Sequence, residues 1–566
     1  MWRRKNKYKQ KYLIADITPE DVFIQGENVS NLDTSQMEGR FETPLKIKTI
    51  LIVATLFFLV ALVFVAQSFN LQIKQYEKYF TISENNRLDY SLIFAERGLI
   101  YDRNGELLAW NQLDENSDFP LRHYSDTPGI NHLLGFVKYP LKDKSGIYYK
   151  DDYTGIQGVE SFFNTSLAGK NGRQVLEVNA SNQVTAANMI VPPEAGDGIH
   201  LSIDVRLQEY LFHIIKNLAL DYDFDGGGAG IMDIRTGEML ALVSFPEYSS
   251  NVMTEGKDVE QIEKYYNNKN KPFLNRMIDG LYTPGSIVKP FLAIGALEEK
   301  IISPTKLICE SGYLSIPNPY NPDQPTIFRD WRAHGCVDML KAIAVSGDVY
   351  FYQIGGGYLD QQKGMGVYNI KKYLEAFGFT KPFASDSFFF TNNLGVIPTP
   401  EWKEVAFPND PVWRLGDTYN MSIGQYGTMI GPMQALRATA ALANGGQLIE
   451  PTILKSDASV SFTEVIFSED KFQIARDGMR MAVSQGSVSG LNTPNIKVAA
   501  KTGTAELGVR KDFVNAWVEG FFPFDNPHYA FVVIMERGPE KNNIGGTYVM
   551  RTMLDWMASN TPEYFE

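Results

Sequence analysis

Residues 49–69 read TILIVATLFFLVALVFVAQSF. From Ile50 to Ala66 this run holds a single polar side chain, Thr55. A helix of about 20 mostly apolar residues crosses the hydrocarbon core of a bilayer. A core helix of that length in a soluble domain would keep a polar stripe, and none is visible here. The run therefore predicts one membrane-spanning helix, and it sorts the rest of the chain onto two sides. About fifty residues precede it, and Phe64 stands where a cleaved leader would need a small residue before Ala66. A retained anchor over 47–69 is expected. The preceding tail, 1–46, carries Arg3, Arg4, Lys5, Lys7, Lys9 and Lys11, with Lys46 and Lys48 beside the run, and few basic residues follow it. The positive-inside rule then puts the tail in the cytoplasm and the remainder outside, as a single-pass protein of the inner (cytoplasmic) membrane.

That remainder is large enough for two domains. The formal net charge of -13 speaks against a nucleic-acid partner, which needs clustered cations. Only two cysteines, Cys309 and Cys336, exclude a disulfide-stapled scaffold, and six histidines argue against a multi-histidine metal enzyme. Residues 70–195 show short apolar runs broken by Gly, Asn and Asp. One of them, Leu99-Ile100-Tyr101, precedes Asn104-Gly105, a strong hairpin signal. This stretch reads as a strand-rich pedestal, ending near Val191-Pro192-Pro193-Glu194-Ala195-Gly196. Residues 196–566 read differently. Two strands are expected within 229–243 around Arg235-Thr236-Gly237, a helix over about 285–300, and mostly helix over 335–445. Two further strands flank Asp525-Asn526-Pro527, and a last helix covers about 547–558. Hairpins at both ends with helices between predict an α+β domain, one antiparallel sheet with helices on its faces.

Three short motifs carry the chemistry. Ser286-Ile287-Val288-Lys289 is weak as a bare Ser-x-x-Lys, and Ser303–Lys306 and Ser468–Lys471 share the spacing. Context separates them. Ser286 follows Thr283-Pro284-Gly285 and opens an apolar helical run, whereas Ser303 precedes a proline and Ser468 lies in an acidic segment. On a helix, Lys289 would stand one turn above Ser286 and take its proton, and a serine needs such a base to be nucleophilic. A nearby Lys501 would push Lys289 toward its neutral form. Ser346-Gly347-Asp348 offers a second hydroxyl to relay protons. Alone it reads equally as a turn ending a helix, and Ser249-Ser250-Asn251 is a similar triplet. Lys501-Thr502-Gly503-Thr504 follows an alternating segment and reads as a strand edge. Lys501 supplies charge, Thr502 and Thr504 supply hydroxyls for a substrate carboxylate, and Gly503 allows close backbone approach. The N–H groups of Ser286 and Thr504 would form an oxyanion hole.

In this order the three motifs resemble the set of the penicillin-binding proteins and class A β-lactamases. The resemblance covers about residues 85–560 and is specifically to class B penicillin-binding proteins. Arg97-Gly98-Leu99-Ile100-Tyr101-Asp102-Arg103-Asn104-Gly105 and Gly158-Val159-Glu160 resemble pedestal motifs, while Ser422-Ile423-Gly424-Gln425, Ala443-Asn444-Gly445-Gly446, Trp517, Gly520 and Pro523 resemble the catalytic domain. Asp348 and Arg329-Asp330-Trp331 with His334-Gly335 are most similar to the elongation-type group, penicillin-binding protein 2. The resemblance implies D,D-transpeptidation of peptidoglycan stem peptides through a Ser286 acyl-enzyme, acylation by β-lactams, a SEDS-family glycosyltransferase partner in the membrane, and no cofactor for the chemistry. It also implies a structural zinc on Cys309, Asp330, His334 and Cys336, against which stands the plain reading of two buried thiols. About twenty residues between Trp110 and His132 leave a shortened pedestal head. The alternatives are a septal class B transpeptidase and a catalytically silent β-lactam sensor or scaffold. A silent scaffold would be expected to lose Ser286, Lys289 or Lys501. A β-lactamase would need neither anchor nor pedestal, and a bifunctional class A enzyme would need a glycosyltransferase domain that the pedestal is too short to hold.

Overall fold

The computed structural model describes residues 46–565 except 86–87, 179–183, 319–320, 322, 456–460, 466, 509 and 543. The basic residues of the tail, on which the orientation expectation rests, lie largely outside these. The chain divides into two units. The first comprises residues up to 89 together with 177–186. It contains helix α1 (Ile47–Phe69), a π-helical turn Asn70–Lys74 and a helix Tyr76–Asn85. The span Ile47–Lys74 is long and apolar enough to cross a membrane, and none of its most apolar stretch is buried by protein. Thr55 returns its hydroxyl to Leu51 O at 2.7 Å, which removes the one polar side-chain donor of the run.

The second unit holds residues 90–176 and 187–566. Its pedestal part is built on a four-stranded sheet of β1 (Ile100–Tyr101), β2 (Leu107–Gln112), β3 (Leu121–Tyr124) and β4 (Ile199–His200), in the order β4-β1-β2-β3. The Asn104-Gly105 turn joins β1 to β2, with Gly105 at φ +87°. Asp102 braces this turn by accepting the N–H groups of Asn104 and Glu106. The pedestal motifs also meet in a buried ion cluster, in which Glu160 takes Arg97 at 2.6 Å and Arg122 at 2.7 Å, all three side chains fully buried.

The catalytic part begins with α2 (Val205–Asp221), capped by the Asp204 carboxylate on Arg206 N. Then come β5 (Gly226–Asp233), β6 (Met239–Phe245), α3 (Lys289–Glu298), β7 (Ile308–Glu310), β8 (Gly335–Val337), α4 (Met339–Val345) and α5 (Asp348–Gly356). The last elements are α6 (Pro432–Ala443), α7 (Glu469–Gln485), β9 (Ala499–Leu507), β10 (Phe513–Phe522), β11 (Tyr529–Pro539) and α8 (Gly546–Asn560). The five-stranded sheet runs β6-β5-β11-β10-β9, antiparallel throughout. Side chains alternate between its faces. Val532, Ile534 and Trp517 join the core that includes α3 and α6, while Phe531, Val533 and Met535 join the core that includes α2 and α8. Helices cover both faces, so β6 and the first part of β11 are apolar almost without interruption rather than half polar. The expected α+β architecture is thus present.

Candidate active site

Gly285–Val288 forms a 3-10 turn that leads into α3, so Ser286 stands just ahead of the α-helix and Lys289 begins it. The approach of this turn to β9 is close. A Cβ at Gly503 would lie 2.5 Å from Pro284 O, and one at Gly285, whose φ is +59°, would lie 2.8 Å from Thr504 O. Gly503 is therefore bare so that the serine turn can lie against the strand, whereas the sequence assigned that close approach to a ligand. Trp517 Nε1–H donates to Thr283 O at 3.0 Å and fixes the lead-in to Ser286.

The three motifs converge on one hydroxyl. Ser346 ends α4 in the left-handed region, φ +58° and ψ +37°, which a residue with a side chain rarely adopts. Its Oγ lies 2.8 Å from Lys501 Nζ and 3.4 Å from Lys289 Nζ. Lys289 is fully buried and donates to Ser346 O at 2.8 Å and to Asp348 Oδ1 at 2.5 Å. Among the described residues no hydrogen bond joins Ser286 to Lys289. Sequence spacing anticipated that pair. The 3-10 geometry of residues 285–288 and the Asp348 carboxylate turn the lysine toward the second motif instead. Lys501 is fully buried on β9 and also donates to Thr502 O at 2.8 Å. Burial first, and then the positive charge of Lys289, push Lys501 well below the usual lysine value. Like-charge repulsion from Lys289 is thus part of what depresses Lys501, and Lys289 itself pairs with the Asp348 carboxylate.

Ser286, Ser346, Asp348, Thr502 and Thr504 line one cleft of about 720 Å³. Sequence reasoning missed several of its walls: Arg329, Trp331, Tyr352, Asn420, Tyr426, Glu506 and Lys511. No spacing rule ties these positions to the motifs; only Arg329 and Trp331 fell within a stretch singled out beforehand. The other Ser-x-x-Lys segments lie apart. Lys471 does reach Ser468 Oγ at 3.2 Å, but at the surface and paired with Glu298 at 2.9 Å. Ser303 contacts Thr305 at an exposed site. Asn251 of the decoy triplet bonds the backbone of Tyr124 in the pedestal.

The zinc expectation is corrected. Cys309 on β7 and Cys336 on β8 are register partners and form a disulfide. Neither retains a thiolate for a metal. Asp330 and His334 face each other at 3.3 Å, both side chains almost fully buried, and no metal-holding group of three such residues exists among the described residues. These residues do not fit a zinc site. Asp330 instead serves α5: its Oδ2 accepts Val349 N–H at 2.9 Å, beside Asp348. Burial, and then the charge of Asp348, push the Asp330 carboxyl up.

The family model of the penicillin binding protein transpeptidase domain matches residues 227–557, and that of the penicillin-binding protein dimerisation domain matches 115–201. The peptidoglycan D,D-transpeptidase MrdA of Haemophilus influenzae is 27% identical over 576 residues, covering 83% of this chain and 85% of the relative. Among solved structures, the penicillin-binding protein PBP2 of Helicobacter pylori in complex with MreC superposes with a TM-score of 0.69 at 26% identity, covering 83% of this chain and 99% of that one. Pseudomonas aeruginosa PBP2 in complex with WCK 5153 gives 0.64 at 27% identity, covering 82% and 96%.

Proposed function

The chain belongs to the penicillin-binding protein transpeptidase family, and on that premise we propose that it is an elongation-type peptidoglycan D,D-transpeptidase working through a Ser286 acyl-enzyme. One observation carries the assignment of roles: Ser346 Oγ stands between Lys289 and Lys501, so three motifs far apart in sequence share one hydroxyl. Ser286 attacks the penultimate D-Ala carbonyl of a stem peptide. Lys289 takes its proton as it passes one of its own to Ser346 Oγ, and Ser346 passes its hydroxyl proton to Lys501. The net transfer is from Ser286 to Lys501, the amine that burial and Lys289 push toward the neutral form. Asp348 holds Lys289 in place and balances its charge. The N–H groups of Ser286 and Thr504 receive the oxyanion, and Thr502 and Thr504 line the place of the substrate carboxylate. D-Ala leaves, and an amine of a neighbouring stem peptide resolves the acyl-enzyme by the reverse path.

The division of the chain is proposed as tail 1–46, anchor 47–69, pedestal 70–195 and transpeptidase domain 196–566, with the tail cytoplasmic and the catalytic part outside. The apolar span of α1 supports a single-pass anchor. Elongation-type membership supports a SEDS-family glycosyltransferase partner, and the Helicobacter neighbour bound to MreC supports, separately, a partner related to MreC here. β-Lactams are proposed to acylate Ser286. The test is mass spectrometry of the membrane protein after penicillin treatment: the adduct should sit on the peptide that holds Ser286 and be absent in Ser286→Ala. An adduct on Ser303, or none in the wild type, overturns the assignment.

A further inference from the structure

The charged side chains that line the Ser286 cleft are Arg329, Asp330, Asp348, Glu506 and Lys511. All but Arg329 are engaged within the protein. Asp348 takes Lys289 at 2.5 Å, and Glu506, further along β9, pairs with Lys511. Asp330 faces His334 at 3.3 Å and accepts Val349 N–H at 2.9 Å. Among the described residues Arg329 is bonded through its carbonyl, which accepts from the Tyr352 hydroxyl at 3.3 Å, and its guanidinium has neither an ion pair nor a hydrogen bond. The cleft thus presents one cation that the protein itself does not neutralise.

The backbone holds this cation in place. Arg329 ends a short strand, Thr326–Arg329, which pairs antiparallel with Tyr313–Ile316 so that Arg329 opposes Tyr313. Phe328, the residue before it, packs on the rings of Tyr352 and Tyr419 at 6.0 and 4.9 Å. Successive side chains of a strand point to opposite sides. With Phe328 turned to the core, Arg329 is turned outward, exposed and along the cleft. A guanidinium keeps its charge and presents a planar fork that fits a carboxylate through two parallel N–H···O bonds. In the reaction proposed above the C-terminal carboxylate of the donor peptide lies at Thr502 and Thr504, so the ligand of Arg329 is a second acid. A stem peptide has two places for one upstream of D-Ala–D-Ala: the γ-linked glutamate, and the side chain of a diamino acid of the diaminopimelate kind.

We propose that Arg329 is a specificity-determining residue of the donor site, taking a carboxylate that the stem peptide carries upstream of its D-Ala–D-Ala end. Peptides with that acid free are selected over peptides in which it is amidated. This selectivity rests on the transpeptidase reading above.

The experiment follows labelling of the full chain in detergent by a fluorescent penicillin, slowed by synthetic stem pentapeptides ending in D-Ala–D-Ala. The peptides have both upstream acids free, one or the other amidated, or both amidated. The readout is the concentration of each that halves the labelling rate. In the wild type the peptide with both acids free should protect at a concentration about fivefold or more below that of the peptide with both amidated, as an Arg–carboxylate pair in a partly exposed site allows. The singly amidated peptides show which acid is held. In Arg329→Gln the ratio should shrink to less than about twofold, and Arg329→Lys should keep part of it, as a point charge without the fork. A mere change of cleft shape would weaken all the peptides alike and leave the ratio unmoved. Penicillin bound at saturation counts the folded sites of each variant. Should Arg329→Gln fail to fold, the ratio in Arg329→Lys supplies the reading. Equal protection by all the peptides in the wild type, protection by none, or an undiminished ratio in the folded variant overturns the proposal. Labelling that survives in Ser286→Ala overturns the nucleophile assignment and the proposal with it. That result appears without any peptide, so it is told apart from a failure of Arg329 alone.

Discussion

At the scale of single residues, charge placement decides the site. Lys289 donates to Ser346 O and to the Asp348 carboxylate, and its proposed use as a proton carrier requires it to give a proton up and take one back. Lys289→Arg keeps the ion pair, but a guanidinium does not deprotonate in proteins. Penicillin acylation of that variant should fall by about a hundredfold or more, the usual size of a lost proton-transfer group. A near-wild-type rate would remove Lys289 from the relay. A different residue sets the acid side of stability. His132 is buried in the pedestal against Pro246 O at 3.1 Å, and burial pushes it down to about 4. As the pH falls through 6.5, the unfolded chain takes up a proton that the folded chain refuses until about 4. Stability from this group is therefore full above 6.5 and declines steadily down to about 4, by about 3 kcal/mol in all. Thermal melts of wild type and His132→Gln from neutral to acid pH should diverge less as the pH falls. A constant gap between the two would show that His132 does not titrate on unfolding.

At the scale of elements, the placement of Ser286 depends on two backbones meeting. The 3-10 turn 285–288 and β9 touch through Gly285 and Gly503. Gly503→Ala would put a Cβ about 2.5 Å from Pro284 O, so either strand or turn must shift. A shift of this kind moves Ser286 relative to Lys501, and penicillin acylation should fall by at least tenfold (roughly) with little loss of melting temperature. Equal acylation in the alanine variant would show that the turn has slack. The hairpin stem β7–β8 carries the disulfide, and the excursion between its strands holds Asp330, which caps α5 at Val349 N and so places Asp348. The bridge spans 27 positions, and closing a loop of that length removes about 3.5 kcal/mol of freedom from the unfolded chain. Replacing both cysteines by serine should lower stability by an amount of that order, and a dithiol reductant should do the same to the wild type alone. Calorimetry with and without reductant checks both. Zinc chelators should leave the melting curve of the wild type unmoved.

At the scale of the whole molecule, the pedestal is held to its shape by Glu160 between Arg97 and Arg122. Glu160→Gln leaves two buried guanidiniums without a counter-charge, which costs about 3–5 kcal/mol where such clusters have been broken. Limited proteolysis should then cut within residues 90–176 first, and undiminished resistance there would count against the cluster as the pedestal's anchor. Much of this organisation was legible in the chain itself. The apolar run 49–69, the Asn104-Gly105 hairpin and the two terminal hairpins of the catalytic part are local patterns, read from side-chain periodicity and turn chemistry, and α1, the β1–β2 turn and the strands β5, β6, β10 and β11 follow them. That the Ser286, Ser346–Asp348 and Lys501 motifs belong together was legible too, and they do meet in space. The partners of those side chains were not legible. Sequence spacing put Lys289 beside Ser286, and only the packing of α4 and α5 against α3 gave it Asp348. The family resemblance suggested metal ligands at Cys309 and Cys336, and only the β7–β8 register brought the two sulfurs together. Local propensity and residue chemistry act within a few positions along the chain and are written in its order. Hydrogen bonds, ion pairs and burial act through space, so which groups meet was decided only by the fold.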